Sequence, residues 1–237
     1  CVMSSRNEAR SHDTVSLHTT GTQGDHMQTI IRTPITEASA WRGEDMAGRT
    51  DWIIHLQPAH IAEIETAMRF AMASGIEVTQ LKREHFQIPG VESEIARWSH
   101  ELQSGRGFLV VRGLPVECYD DYEVRTIFWW LSLYMGAALS QNSYGELLGD
   151  VYDEGVKMGQ GKVRGYRTNS FLMFHSDRAD VVGLLCLHKA KEGGVSSLVS
   201  TMAIHNEMLK QHPEYLPPLY NGLLYVNIEE GGDYSQW

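Results

Sequence analysis

The sequence predicts an α+β domain in which helices come first and strands second. Two observations carry this. Apolar residues recur at helical spacing between residues 61 and 103, and short apolar runs of strand length, set off by turn residues, gather after residue 170.

Residues 1–40 are rich in Ser, Thr, His, Gly and Asp and show little hydrophobic periodicity. Such a composition buries too little apolar surface to offset its ordering entropy, so the segment is expected to be flexible and the domain proper to occupy residues 41–237. Pro58 suits the first turn of a helix, along which Ile61, Ile64, Met68 and Met72 share a face until Gly75 ends it. A second helix is expected over residues 91–103, with Ile95, Trp98 and Leu102 on one face. The run Phe108 to Val111, closed by Arg112, Gly113 and Pro115, reads as a buried strand. Asp120 or Asp121 can cap a third helix over residues 122–135, whose Phe128, Trp129, Trp130 and Leu131 belong in a core. Residues 136–165 read as a long loop, rich in glycine and polar residues. Strands are expected at 170–175, 181–187 and 195–200, the last after the turn Glu192-Gly193-Gly194. A helix containing Ile204, Met208 and Leu209 ends before Pro213, a helical turn follows at 215–220, and a short strand at 223–226.

The 237 residues are 42% hydrophobic and 21% charged, which suits one domain with a sizeable core. A formal charge of -10 without a dense Lys/Arg block argues against a nucleic-acid partner. No apolar run reaches the roughly 18–20 residues of a membrane helix, and no signal-peptide core stands in the first thirty, so no membrane partner is expected and the default location is cytoplasmic. Cys1, Cys118 and Cys186 are widely spaced and odd in number, and all three are expected to be reduced, with Cys186 in the apolar run VVGLLCL as a small core residue.

The chemistry-bearing stretch is SFLMFHSDRADVVGLLCLHKAKEGG, residues 170–194. On a strand, residues two apart point to one face, so His175 and Asp177 would stand side by side. An imidazole and a carboxylate so placed make two thirds of the facial triad that holds non-haem Fe(II). Other patterns offer less. The glycines at 155, 159, 161 and 165 form no dinucleotide fingerprint, and Ser197 and Ser200 lack the His and Asp partners of a hydrolase. His188 reads as a surface residue at a strand end, and Arg164 and Arg167 flank the long loop, where they could face an anionic substrate.

The order GFLVVRGLPV, the helix over 122–135, HSDRAD and KEGGVSSLVSTMAIHNEM resembles the TauD/TfdA-like (taurine catabolism dioxygenase) family of Fe(II)/2-oxoglutarate-dependent dioxygenases. The resemblance implies a double-stranded β-helix, or jelly roll, with flanking helices. It implies His175 and Asp177 as catalytic metal ligands, Fe(II) as cofactor and 2-oxoglutarate as cosubstrate. Ser196 stands where the family commonly has a threonine that helps hold 2-oxoglutarate, and its hydroxyl can donate the same hydrogen bond. Asn169 is a weaker candidate for cosubstrate or substrate contact, with a turn role equally open. Partners would be a small organic substrate and dioxygen; homo-oligomerisation is left open. Related halogenases carry a small residue where Asp177 stands, so the carboxylate favours hydroxylation or desaturation.

The family also supplies a second histidine from a late strand and, after it, an arginine that forks the far carboxylate of 2-oxoglutarate. The later histidines here, His205 and His212, fall in a helical stretch, which does not suit a ligand. The chain begins with Cys rather than Met and ends at Trp237, so the jelly roll is expected to be incomplete, with both groups beyond residue 237. The alternative reading is a noncatalytic or truncated jelly-roll fragment that acts at most as a binding module and exposes unpaired strand edges.

Overall fold

A computed structural model describes residues 2–5, 29–85, 87–142, 144–157, 163, 165–177 and 179–222. Helix α1 spans Gly43–Met46, and strand β2 spans Ile53–His55. Helix α2 runs Pro58–Ala73 and α3 Pro89–Ser104, followed by β3 at Phe108–Arg112 and α4 at Asp121–Leu133. After a long loop come β4 at Val181–Leu184, α5 at Thr201–Gln211 and α6 at Leu216–Tyr220. Strand β1, Val2–Ser5, precedes them all.

Each main helix starts on a feature of its sequence. Pro58 and Pro89 occupy first turns, where a missing N–H costs nothing. The Glu63 carboxylate of α2 accepts the amides of Gly90 (3.1 Å) and Val91 (2.7 Å), so one helix satisfies the orphan donors that open the next. Asp120 and Glu123 cap α4 reciprocally, at 2.8 and 2.9 Å.

The apolar faces meet in one core. Ile64, Ala67, Met68 and Ala71 of α2, Val91, Ile95, Trp98 and Leu102 of α3, and Ile127, Trp129 and Trp130 of α4 pack around Leu109 of β3. Fully burying a side chain of leucine size stabilises by about 1.5–3 kcal/mol, so this cluster outweighs any surface ion pair nearby. The Trp129 indole also donates to the Leu81 carbonyl at 3.1 Å, which satisfies its polar edge inside the core.

The four strands form one mixed sheet in the order β2-β3-β1-β4. β2 runs parallel to β3, with Ile53 opposite Val110, while β1 is antiparallel to both β3 and β4, with Val2 opposite Val110 and Leu184. Phe128 of α4 lies over Gly183, where an added Cβ would come within 3.6 Å of the ring, so α4 touches β4 as well. The helices expected over 58–75, 91–103, 122–135 and 201–212 and the strands expected at 108–111 and from 181 are present, and the described strands build this one sheet rather than two facing ones.

Several expectations are corrected. Residues 170–175 and 195–200 are loops and extended segments rather than strands, and β4 stops at Leu184 instead of 187. The reason is non-local: without ladder partners among the described residues, their backbones stay outside any sheet. Cys186 is exposed, not core, because it lies beyond the end of β4. The segment 1–40, expected to be flexible, holds a central strand at Val2–Ser5 and side-chain-specific contacts at Ile35 and Ser39. The strand expected at 223–226 lies outside the described residues.

No helix of the described residues is long and apolar enough to cross a membrane. The start of β2 is tied to the end of α3 by charge. Asp51 receives Arg49 (2.7 Å) and Arg106 (3.0 Å), and Arg106 also reaches Glu101 at 2.6 Å. The hydrogen bond from Arg49, then the charge of Arg106, holds the Asp51 carboxyl well below the usual carboxylate range. A depressed folded value contributes stability above the unfolded value of about 3.9, and loses it as pH falls through the folded one. Asp51→Asn should therefore lower the melting temperature at pH 7, and the gap from wild type should close below about pH 4. A gap unchanged down to pH 2 in thermal unfolding would contradict the pairing.

Candidate active site

The long loop is gathered at its base before it reaches the His-Ser-Asp stretch. Arg125 of α4 binds Asp150 at 2.6 Å, and Arg167 forks Glu154 through Nε (2.6 Å) and Nη2 (2.5 Å). The Glu154 amide donates to the Arg167 carbonyl at 3.0 Å, so backbone and side chains close the loop at one point. A tight turn follows, in which both the amide and the hydroxyl of Thr168 donate to the Gly165 carbonyl (3.1 and 2.9 Å). Gly165 is also a contact point. A Cβ there would lie 2.3 Å from Leu172 Cδ2, so the bare glycine lets Leu172 seat directly on the turn.

His175 and Asp177 lie beyond that turn, in an exposed loop. The His175 Nδ1 stands 2.7 Å from the Met173 carbonyl oxygen. A carbonyl only accepts, so a hydrogen bond here needs the proton on Nδ1, and in a neutral ring Nε2 would then carry the lone pair. This is the arrangement of a metal-ligating histidine, whose second nitrogen is oriented by an outer acceptor. Asp177 adds a carboxylate two residues on.

Ser196 and Asn169 are exposed as well. The turn before Ser196 is as expected, with Gly193 and Gly194 both left-handed at φ +72° and +69°. Among the described residues, no three His, Cys, Asp or Glu side chains gather as a metal cluster. His175 and Asp177 therefore fit iron in donor type, and the described residues supply two donors rather than three. His205 stands on α5, with Nε2 3.2 Å from the Tyr220 hydroxyl.

Exposed apolar side chains flank the candidate residues along the chain. Phe171 is 86% exposed and Val195 87%, and Met173, Phe174, Leu198 and Val199 are exposed too. Two polar residues that tie this region down escape sequence reasoning. Ser200 caps α5 by accepting the Ala203 amide (2.9 Å) and donates to the Ser39 carbonyl (2.5 Å). Asn206 holds the backbone of Ile35 at both its N–H (2.8 Å) and its C=O (2.7 Å). A serine before a helical run signals the cap; nothing in sequence signals a partner 171 residues away.

The His175 geometry is open to measurement. In nitrogen-15 NMR at pH 8, His175 should appear as the Nδ1–H tautomer with an unprotonated Nε2. The reverse tautomer would show that the Met173 carbonyl does not orient the ring.

Comparison with known proteins places the chain in a family. The model of the Taurine catabolism dioxygenase TauD, TfdA family matches residues 75–235. FR-33289 synthase of Streptomyces rubellomurinus is 30% identical over 200 residues, which cover 84% of this chain and 59% of that protein. The taurine hydroxylase-like protein SAT17 of Stachybotrys chartarum is 26% identical over 201 residues, 82% of this chain and 52% of that protein. The chain thus spans somewhat over half the length of the curated relatives it matches. With the family match over most of the sequence and the His-Ser-Asp stretch inside it, the chain belongs to the TauD/TfdA family of dioxygenases.

Proposed function

We propose that this chain carries part of the active site of an Fe(II)- and 2-oxoglutarate-dependent oxygenase that hydroxylates a small organic substrate. The observation that supports this most is His175, its Nδ1 held by the Met173 carbonyl and Asp177 two residues on, in a chain of the family. The overall reaction would consume 2-oxoglutarate, dioxygen and a substrate C–H, and give succinate, carbon dioxide and the alcohol. Iron would supply the activation of dioxygen.

The chain's own residues have narrower tasks. His175 Nε2 and the Asp177 carboxylate would hold the metal, and the Met173 carbonyl would keep the imidazole in its ligating tautomer. The Ser196 hydroxyl would donate to 2-oxoglutarate, and Asn169 would contact cosubstrate or substrate. Exposed apolar side chains at 171, 173 and 174 would border the pocket, where a covered surface would exclude water. A jelly roll is the fold that family membership implies.

A second reading has support of its own. The described residues offer two metal donors and leave a broad apolar surface uncovered, which also suits a noncatalytic portion of such a domain. Anaerobic Fe(II) titration and succinate release separate the two. Wild type should bind Fe(II) and form succinate, and Asp177→Ala should lose both. Outer-shell changes alone cost about 10- to 100-fold, so loss of a direct ligand should cost at least the upper end of that range. Succinate formation at the wild-type rate by Asp177→Ala would refute the ligand assignment, and no binding by wild type would favour the noncatalytic reading.

A further inference from the structure

The segment carrying Ser196 ends at a joint made with the far end of the chain. Residues 195–200 are extended and outside any sheet, and Val195 to Val199 are exposed, so little holds them along their length. Their last residue is different. Ser200 is buried, its hydroxyl accepts the Ala203 amide at the start of α5, and the same hydroxyl donates to the Ser39 carbonyl.

One turn further along α5, the Asn206 amide group binds both backbone groups of Ile35, as a neighbouring strand would. Arg42 then pairs with Glu207 of the same helix. Three successive attachments thus run along α5 from one short stretch of chain, 35–42. Within it, Trp41 leads into the core, where its ring meets Phe108 of β3 edge-on at 5.2 Å and its indole donates to the Arg106 carbonyl at 2.9 Å. The stretch therefore links β3, which is anchored, to α5, which contributes no fully buried residue of its own.

We propose that residues 35–42 are a strap that positions the cosubstrate-side segment 195–200 through α5, with Asn206 as its principal positioning residue. The link to cosubstrate rests on the oxygenase reading above; the strap itself does not. An amide that satisfies a donor and an acceptor of the same residue fixes position and direction together, so its loss should free α5 to shift and carry Ser200 and Ser196 with it. His175 and Asp177 hang from the Gly165 turn and the Arg167–Glu154 pair instead, so metal and cosubstrate should respond differently.

Hydrogen exchange by mass spectrometry tests the strap from both sides. Asn206→Ala removes the side-chain partner, and Ile35→Pro removes the donated N–H without touching α5. Each should raise exchange at 36–42 and 196–206 by about tenfold while amides of α2, α3 and α4 keep wild-type rates. Wild-type rates at 196–206 in both variants would overturn the strap. Titrations with Mn(II), and with 2-oxoglutarate in the presence of Mn(II), supply the second arm. Asn206→Ala should bind Mn(II) as wild type does and 2-oxoglutarate about tenfold more weakly. Equal cosubstrate affinity, or an equal loss in both affinities, would overturn the positioning role. Should wild type bind neither ligand while exchange rises in the variants, the strap stands and the oxygenase reading falls.

Discussion

Burial of the α2, α3 and α4 faces around Leu109 is the interaction on which the rest of the molecule depends. It draws on side chains from three helices and one strand, and it contains two fully buried tryptophans, Trp98 and Trp130. Burial at this scale outweighs the surface ion pairs, and it sets the position of everything attached to it. Helix order follows from it too, since Glu63 on α2 can cap α3 only when the two helices pack side by side.

The candidate site lies outside that core and is held by attachments of another kind. Polar and small-residue contacts replace apolar burial: Arg125 with Asp150, Arg167 with Glu154, Leu172 seated on Gly165, and Ser200 and Asn206 on the 35–42 stretch. Each is worth little alone in water, but each fixes a point on a loop. The apolar side chains at 171, 173, 174 and 195 find no cover among the described residues. Under the proposed oxygenase reading those residues would border a dry pocket around the metal.

What the sequence reveals follows the range of the interactions involved. The α2 and α3 faces are readable because Ile64, Met68, Ile95, Trp98 and Leu102 recur at helical spacing, a local signal that burial then uses. The α4 cap at Asp120 and the left-handed Gly193 and Gly194 are likewise local. His175 and Asp177 are recognisable through motif and family, yet their strand setting is not found, because pairing depends on partners distant in sequence. Cys186 is misread as core for the same reason: VVGLLCL looks like a buried strand, and only pairing shows that β4 ends at Leu184. The roles of Ile35 and Asn206 lie furthest from local reading, since Ile35 stands in a stretch whose composition suggests disorder and its partner is 171 residues away.

In the proposed reading, a helical core carries a loop on which His175 and Asp177 would hold a metal. Paramagnetic broadening of backbone amide signals by Mn(II) tests it directly, since it reports location even when binding is weak. The account predicts broadening centred on residues 173–179, reversed by a diamagnetic competitor such as Zn(II), with α2 and α3 signals unaffected. Broadening centred on another acidic surface, with the His175 region unchanged, would contradict it.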